Sequence, residues 1–231
     1  MPLQKKRKTI LESPEVLQEQ FGKTEDFLKK NQNVIMAIGV AIVVIVGGLW
    51  LYRSSIKEQN NEAQAEMFQA VYYFEADSLN KALNGDGINL GFFDIADEFS
   101  MTDAGNLANF YIGVIYLKQG LYEDAISYLE DFSTPDLLVQ ARAYSLIGDG
   151  YMELDELEEA IKYYNKAANY KPNQYFTPQY LMKLAMAYES VNDYASAVLT
   201  YEKIMDEFSE FPDITDVKKY KARAEGLALK R

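Results

Sequence analysis

The sequence predicts an all-α protein, one membrane-spanning helix followed by a solenoid of paired helices, on three observations. Residues 34–52 read VIMAIGVAIVVIVGGLWLY, nineteen residues without a charge. From about residue 106 the chain repeats itself: Gly113, Gly148 and Ala185 are each followed three residues later by Tyr116, Tyr151 and Tyr188, and twelve residues later by Ala125, Ala160 and Ala197, with spacings of 35 and 37 residues. Cysteine and histidine are both absent, which removes most of the side chains that enzymes and metal sites use.

The apolar run is about 28 Å long at the helical rise of 1.5 Å per residue, close to the hydrocarbon thickness of a bilayer. Lys29 and Lys30 precede it, Arg53 and Lys57 follow it, and Trp50 and Tyr52 lie where interfacial aromatics collect. A cleaved signal peptide would have a shorter apolar stretch and a small-residue cleavage site, whereas here a 33-residue leader comes first and LWLYR follows. A soluble core helix would interrupt the run with polar residues at a helical period. Residues 1–33 form a basic cytoplasmic leader: Lys5, Lys6, Arg7 and Lys8 open it, and Ser13 and Pro14 start a short amphipathic helix carrying Val16, Leu17, Phe21, Phe27 and Leu28. Seven basic residues precede the run and two closely follow it. The positive-inside rule therefore keeps the N-terminus in the cytoplasm and the rest of the chain outside it, in a single-pass topology.

Residues 53–105 are expected to form a linker helix and an irregular first helical unit. The spanning helix either continues past residue 53 or breaks near Ser54-Ser55 or Asn60-Asn61, before an amphipathic helix over about 63–79. That helix would pair with a second one over 92–99. Asn84-Gly85-Asp86-Gly87 between them is a turn by composition. It lacks the alternating acids and final glutamate of a calcium loop.

The period of residues 106–212 is close to the roughly 34 residues of the tetratricopeptide repeat (TPR), a helix-turn-helix unit with small residues where its helices touch. Three units fit, the middle one best, from Tyr144, Ile147, Gly148 and Tyr151 through Ala160, Tyr164 and Ala167 to Pro172. Short segments beginning at Leu121, Leu157 and Tyr194 start each second helix. Residues 213–231 form a C-terminal capping helix, with Lys218, Lys219, Lys221 and Arg223 on a solvated face. First helices of such pairs line the concave surface. That places Leu107, Phe110, Val114 and Lys118 in a protein-binding groove, then Arg142, Ser145, Asp149 and Met152, then Gln179, Met182, Met186 and Glu189. Methionine-containing surfaces repack easily and suit loosely specified polypeptides.

Inventory bounds the chemistry. Without Cys and His there is no disulfide, no thiol nucleophile and no Ser-His-Asp triad, and the common zinc and haem sites lose their ligands. Only carboxylate, Lys or Tyr chemistry is left, with Asp97/Glu98 and Glu123/Asp124 as the pairs a carboxylate-dependent hydrolase would use. Neighbouring acids on one exposed turn are more simply a solvated face, so no catalytic, cofactor or metal site is expected. Residues 53–231 carry 16 basic and 30 acidic side chains. Such an acidic body offers no footprint for nucleic acid.

The leader ending FLKKNQ, the apolar run, the following NEAQAEMFQAVYYF and repeats such as AGNLANFYIGVIYLKQGLYEDAISYLEDF together resemble the single-span inner-membrane proteins of the ancillary SecYEG translocon subunit (YfgM-like) family. The stretch GFFDIADEFSMTDAGNLANFY looks like versions of Bacteroidetes type. The resemblance implies a bacterial inner-membrane protein with a periplasmic domain beside the Sec translocon. Its implied partners are SecYEG, periplasmic chaperones and exported polypeptides, in protein transport. The alternative is a cell-envelope assembly or division scaffold without a translocon role.

Overall fold

The computed structural model describes residues 28–230. The basic cluster at Lys5 to Lys8 and the leader helix expected after Ser13 lie outside the described residues. The described residues are all helical and turn, without strands, and the chain divides into two units, Met1–Ser55 and Ile56–Arg231. Helix α1, Gln32–Glu75, contributes to both and is unbroken at Ser54-Ser55 and Asn60-Asn61.

In the first unit α1 is long and apolar enough to cross a membrane: its best 18-residue window has a mean hydropathy of 2.8, and none of that window is buried. Every side chain from Val34 to Tyr52 is exposed.

The second unit is a succession of helix pairs. After α1 come α2 (Leu79–Asn84), α3 (Phe92–Glu98), α4 (Asp103–Gln119), α5 (Tyr122–Asp131), α6 (Leu137–Glu153), α7 (Leu157–Asn169), α8 (Thr177–Ser190), α9 (Tyr194–Glu207) and α10 (Ile214–Ala228). From α2 onward each packs on its neighbours in sequence, and the apolar interior is three successive clusters and not one central core. Such quasi-one-dimensional stacking is what a solenoid requires.

Close helix approach explains the periodic small residues. A Cβ on Gly113 would lie 2.5 Å from Leu129 Cγ, one on Gly148 2.7 Å from the Tyr164 ring, and one on Gly150 2.9 Å from Ile126. The alanines twelve residues after Gly113, Gly148 and Ala185, namely Ala125, Ala160 and Ala197, are fully buried.

A second device recurs with the same period. Gly120, Asp155 and Asn192, again 35 and 37 apart, sit in the left-handed region with φ of 75°, 61° and 61°. At each of them the first helix is closed by two reversed hydrogen bonds: for Gly120, its own N–H reaches the Leu117 carbonyl and the Leu121 N–H reaches the Tyr116 carbonyl. Equivalent bonds run from Asp155 and Glu156 and from Asn192 and Asp193. Gly, Asp and Asn are the residues that tolerate this conformation and end helices in it.

The same signature appears once more, upstream. Asp77 has φ 55°, its N–H reaches Phe74, and the Ser78 N–H reaches the Tyr73 carbonyl. Ala70, Tyr73, Asp77 and Ala82 therefore match Gly113, Tyr116, Gly120 and Ala125 residue for residue, and Ala70 and Ala82 are fully buried. The end of α1 is thus the first helix of an irregular unit whose second helix is α2. This corrects the expected pairing of 63–79 with 92–99: α1 ends at Glu75, and α3 is an added helix reached through the Gly85–Gly91 turn. There Asp86 accepts hydrogen bonds from the Ile88 and Asn89 N–H groups, the Asn89 amide and the Tyr73 hydroxyl. Those bonds, led by the Asn89 N–H, hold its carboxyl far below the usual range.

At the other end α10 covers α9, with Val217 and Ala224 buried. Lys218 and Lys219 are exposed as expected. Lys221 and Arg223 instead tie the cap down, Lys221 on Glu202 at 3.1 Å and Arg223 on Glu189 at 2.8 Å.

Candidate protein-binding groove

The geometry of the groove starts in two loops. Asp136 caps α6, its carboxylate accepting the Val139 and Leu138 N–H groups, and those bonds lower its pKa. Before α8, Asn173 Oδ1 accepts from the N–H groups of Tyr175 and Phe176, and its own N–H donates to Thr177 Oγ1. The loops are tied together where Tyr170 OH donates to the Thr134 carbonyl and Lys171 Nζ to the Pro135 carbonyl. Leu138 and Phe176 are thereby fixed at facing helix starts.

Between α6 and α8 lies a cleft of about 450 Å³ lined by Leu138, Val139, Arg142, Ser145, Leu146, Phe176, Gln179, Tyr180 and Lys183. A second, of about 340 Å³, is lined by Asp149, Met152, Glu153, Tyr164, Lys183 and Met186. Lys183 borders both. Its ammonium lies 2.6 and 2.8 Å from the Asp149 carboxylate oxygens and 3.2 Å from Ser145 Oγ. Tyr164 OH donates to Asp149 Oδ1 at 2.7 Å. Burial, the Asp149 charge and this hydrogen bond push the Tyr164 phenol well above the usual tyrosine range. The result is a polar bridge at the groove floor, anchored to the ring that packs on Gly148.

Arg142, Ser145 and Gln179 meet in the first cleft, and Asp149, Met152 and Met186 in the second. Ser145 is only 3% exposed and serves as floor. Met186 is 44% exposed, whereas Met182 packs against the apolar cluster beneath. The stripe of α8 along the clefts is Phe176, Gln179, Lys183 and Met186, and Met182 is one residue, about 100° of helix rotation, off Lys183. The other positions lie apart from the clefts. Phe110 is 9% exposed and packs on Phe132 and Tyr111, and Leu107 and Val114 join the same cluster. Lys118 is paired with Asp77 at 3.0 Å and lies over the Phe74 ring. Glu189, its side chain 10% exposed, accepts from Tyr201 and Arg223 and joins α8 to the last two helices.

Residue patterning does not single out Lys183, Phe176 or Tyr180. Lys183 is legible as the i+4 neighbour of Gln179, but Phe176 reaches the cleft through loop geometry. The acidic pairs stay apart from this site. Glu123 and Asp124 are exposed in the first turn of α5, where negative charge complements the helix dipole. Asp97 and Glu98 occupy the end of α3.

Comparison with known proteins agrees with this architecture. Tetratricopeptide repeat profiles match residues 107–134, 141–174 and 179–210. The three helix pairs within residues 107–210 are tetratricopeptide repeats. Among solved structures, the MamA protein is 19% identical with a TM-score of 0.52, over 73% of this chain and 88% of that one. A Podosopora anserina kinesin light chain candidate with nearly identical TPR-like repeats is 14% identical with a TM-score of 0.58, over 74% of this chain and 89% of that one. A substituted form of that same protein aligns with a TM-score of 0.57. No curated protein sequence matches the chain. The TPR solenoid indicates a protein–protein interaction module.

Proposed function

We propose that this protein is a membrane-anchored TPR module of the bacterial envelope whose α6–α8 groove binds a polypeptide beside the Sec export translocon. The observation that carries the reading is the pair of adjoining clefts, where methionine, aromatic and charged groups stand open between two rigid first helices. Repeats that bury their small residues internally and leave such a surface uncovered suit recognition of an extended chain.

Anchoring rests on the exposed apolar length of α1. Its Val, Ile and Leu side chains each cost roughly 1.5–3 kcal/mol when left in water, so a bilayer is their natural solvent. The leader is then cytoplasmic and residues 53–231 periplasmic, with residues 106–212 as the three repeats and 213–231 as cap. The partners in this reading are SecYEG, periplasmic chaperones or exported polypeptides, supported by the resemblance of the leader, span and repeats. Photocrosslinkers placed at Gln179 and, separately, at Val43 in intact cells test it. Capture of a translocon subunit or an exported chain is the expected result. Capture of envelope-assembly proteins alone would assign the module to a scaffold, and protection of the C-terminal domain from protease in spheroplasts would reverse the topology.

A further inference from the structure

The first cleft carries a cation that no carboxylate among the described residues is paired with, although its charge acts on the Tyr111 and Tyr180 phenols. Arg142 is exposed on α6, and among the described residues it makes no ion pair or hydrogen bond. This is notable in a body with 30 acidic side chains to 16 basic. The neighbouring cation is already committed, since Lys183 is held by both Asp149 oxygens and Ser145 Oγ. Beside Arg142 stand the Gln179 side chain and an apolar wall of Leu138, Phe176 and Tyr180, of which Leu138 is 42% and Phe176 38% exposed.

The cleft does not end at either side. It shares Lys183 with the cleft toward Met186, and Phe176 and Gln179 with a further one lined by Glu207 and Glu210. A chain lying there passes through. The two glutamates at that far side repel a second carboxylate, which leaves Arg142 as the place for an acid.

We infer that the cleft takes an internal segment of a partner polypeptide in which a large apolar side chain adjoins an Asp or Glu, the apolar group resting on Leu138, Phe176 and Tyr180 and the carboxylate on Arg142. This rests on the groove being the polypeptide-binding site and names the chemistry it selects. The guanidinium fork matches a carboxylate in geometry as well as charge.

The test uses the full chain in detergent and fluorescein-labelled peptides of twelve residues, blocked at both ends, with a central Phe-Glu in a Gly/Ser/Asn background. Fluorescence anisotropy should show that changing the peptide Glu to Gln weakens binding about tenfold, as does Arg142→Glu. Arg142→Glu should also come to prefer a Phe-Lys peptide. Gln179→Trp, which fills the cleft, should abolish binding of every peptide. Loss with Gln179→Trp but indifference to Arg142→Glu would keep the groove and overturn the acid preference. A peptide lacking Glu but ending in a free carboxylate that binds as well would overturn the internal segment. Absence of binding by the Phe-Glu peptide up to about 1 mM would overturn the inference outright, while groove crosslinks in cells would still stand or fall separately.

Discussion

The interface of α4 with α6 and that of α6 with α8 are built from equivalent positions of successive repeats, yet one is filled and the other stands open. In the first, Phe110 turns into the cluster formed with Phe132, Ile126 and Ile147, while Lys118 of α4 turns the other way, to Asp77 and the Phe74 ring at the end of α1. In the second, the positions equivalent to Phe110 are Ser145 and Met182, the one small and the other turned against the cluster beneath, while Arg142 and Gln179 stand where Leu107 does, and the wall is supplied by Phe176 and Leu138 at the helix starts. Repeat register fixes which positions face the groove. Side-chain volume at those positions decides whether a groove exists.

The largest expected effect tests the packing that both interfaces share. Gly148→Leu drives a side chain into the Tyr164 ring, where a Cβ alone comes within 2.7 Å, and should cost about 3 kcal/mol or more. Gly113→Leu meets Leu129 and the Ala125 carbonyl and should cost a similar amount. Glu159→Gln, which loses only the exposed pair with Lys162, should stay within about 0.5 kcal/mol. Thermal unfolding of the detergent-solubilised chain checks all three, and equal melting temperatures for Gly148→Leu and Glu159→Gln would reject the register.

Next in size is the groove floor. A double-mutant cycle on Lys183→Met and Asp149→Asn should return a coupling of about 1 kcal/mol, discounted because both side chains are partly exposed. No coupling would separate the polar bridge from the stability of the open interface. Where α4 meets the end of α1, Lys118→Ala should change stability by less than about 0.5 kcal/mol, because both partners of its ion pair are solvated.

The smallest effect separates the loop that shapes the open cleft. The Asp136 carboxyl has its pKa lowered by the Val139 and Leu138 N–H groups. Its contribution is therefore present above the unfolded value near 3.9 and is lost as pH falls through the lower folded value. Asp136→Asn keeps an acceptor at the cap and should flatten that acid limb in a melting-temperature profile from about pH 5 to pH 2. An unchanged profile would show that the cap is not what holds Leu138 at the cleft mouth.

Much of this is legible in the chain. Gly113, Gly148 and Ala185 with their tyrosines and alanines give the repeats, because close helix approach admits only small residues there and the period cannot be kept by chance. The first unit escapes the same reading because its second helix is short and the Gly85–Gly91 turn shifts the register to 43 residues. Asp77, Asp155 and Asn192, all residues able to adopt positive φ, carry the missing signal. The groove is legible only in part, since periodicity assigns Met182 and Met186 to one face but does not give the rotation that turns half-buried Met182 against the apolar cluster and brings Lys183 and Phe176 to the cleft. Glu189 and Arg223, expected in the groove and on a solvated cap, find each other across 34 residues of sequence, a pairing no local pattern contains.

The most direct measurement of the central claim is site-specific photocrosslinking in intact cells, comparing a probe at Gln179 in the open interface with one at Asn109 on α4 and one at Val43 in the apolar length of α1. The expected result is a polypeptide adduct from Gln179 that is lost when Met186→Ser and Arg142→Glu are combined, with helicity retained, and none of comparable yield from Asn109. An adduct from Val43 alone, indifferent to both substitutions, would contradict it and place recognition on α1.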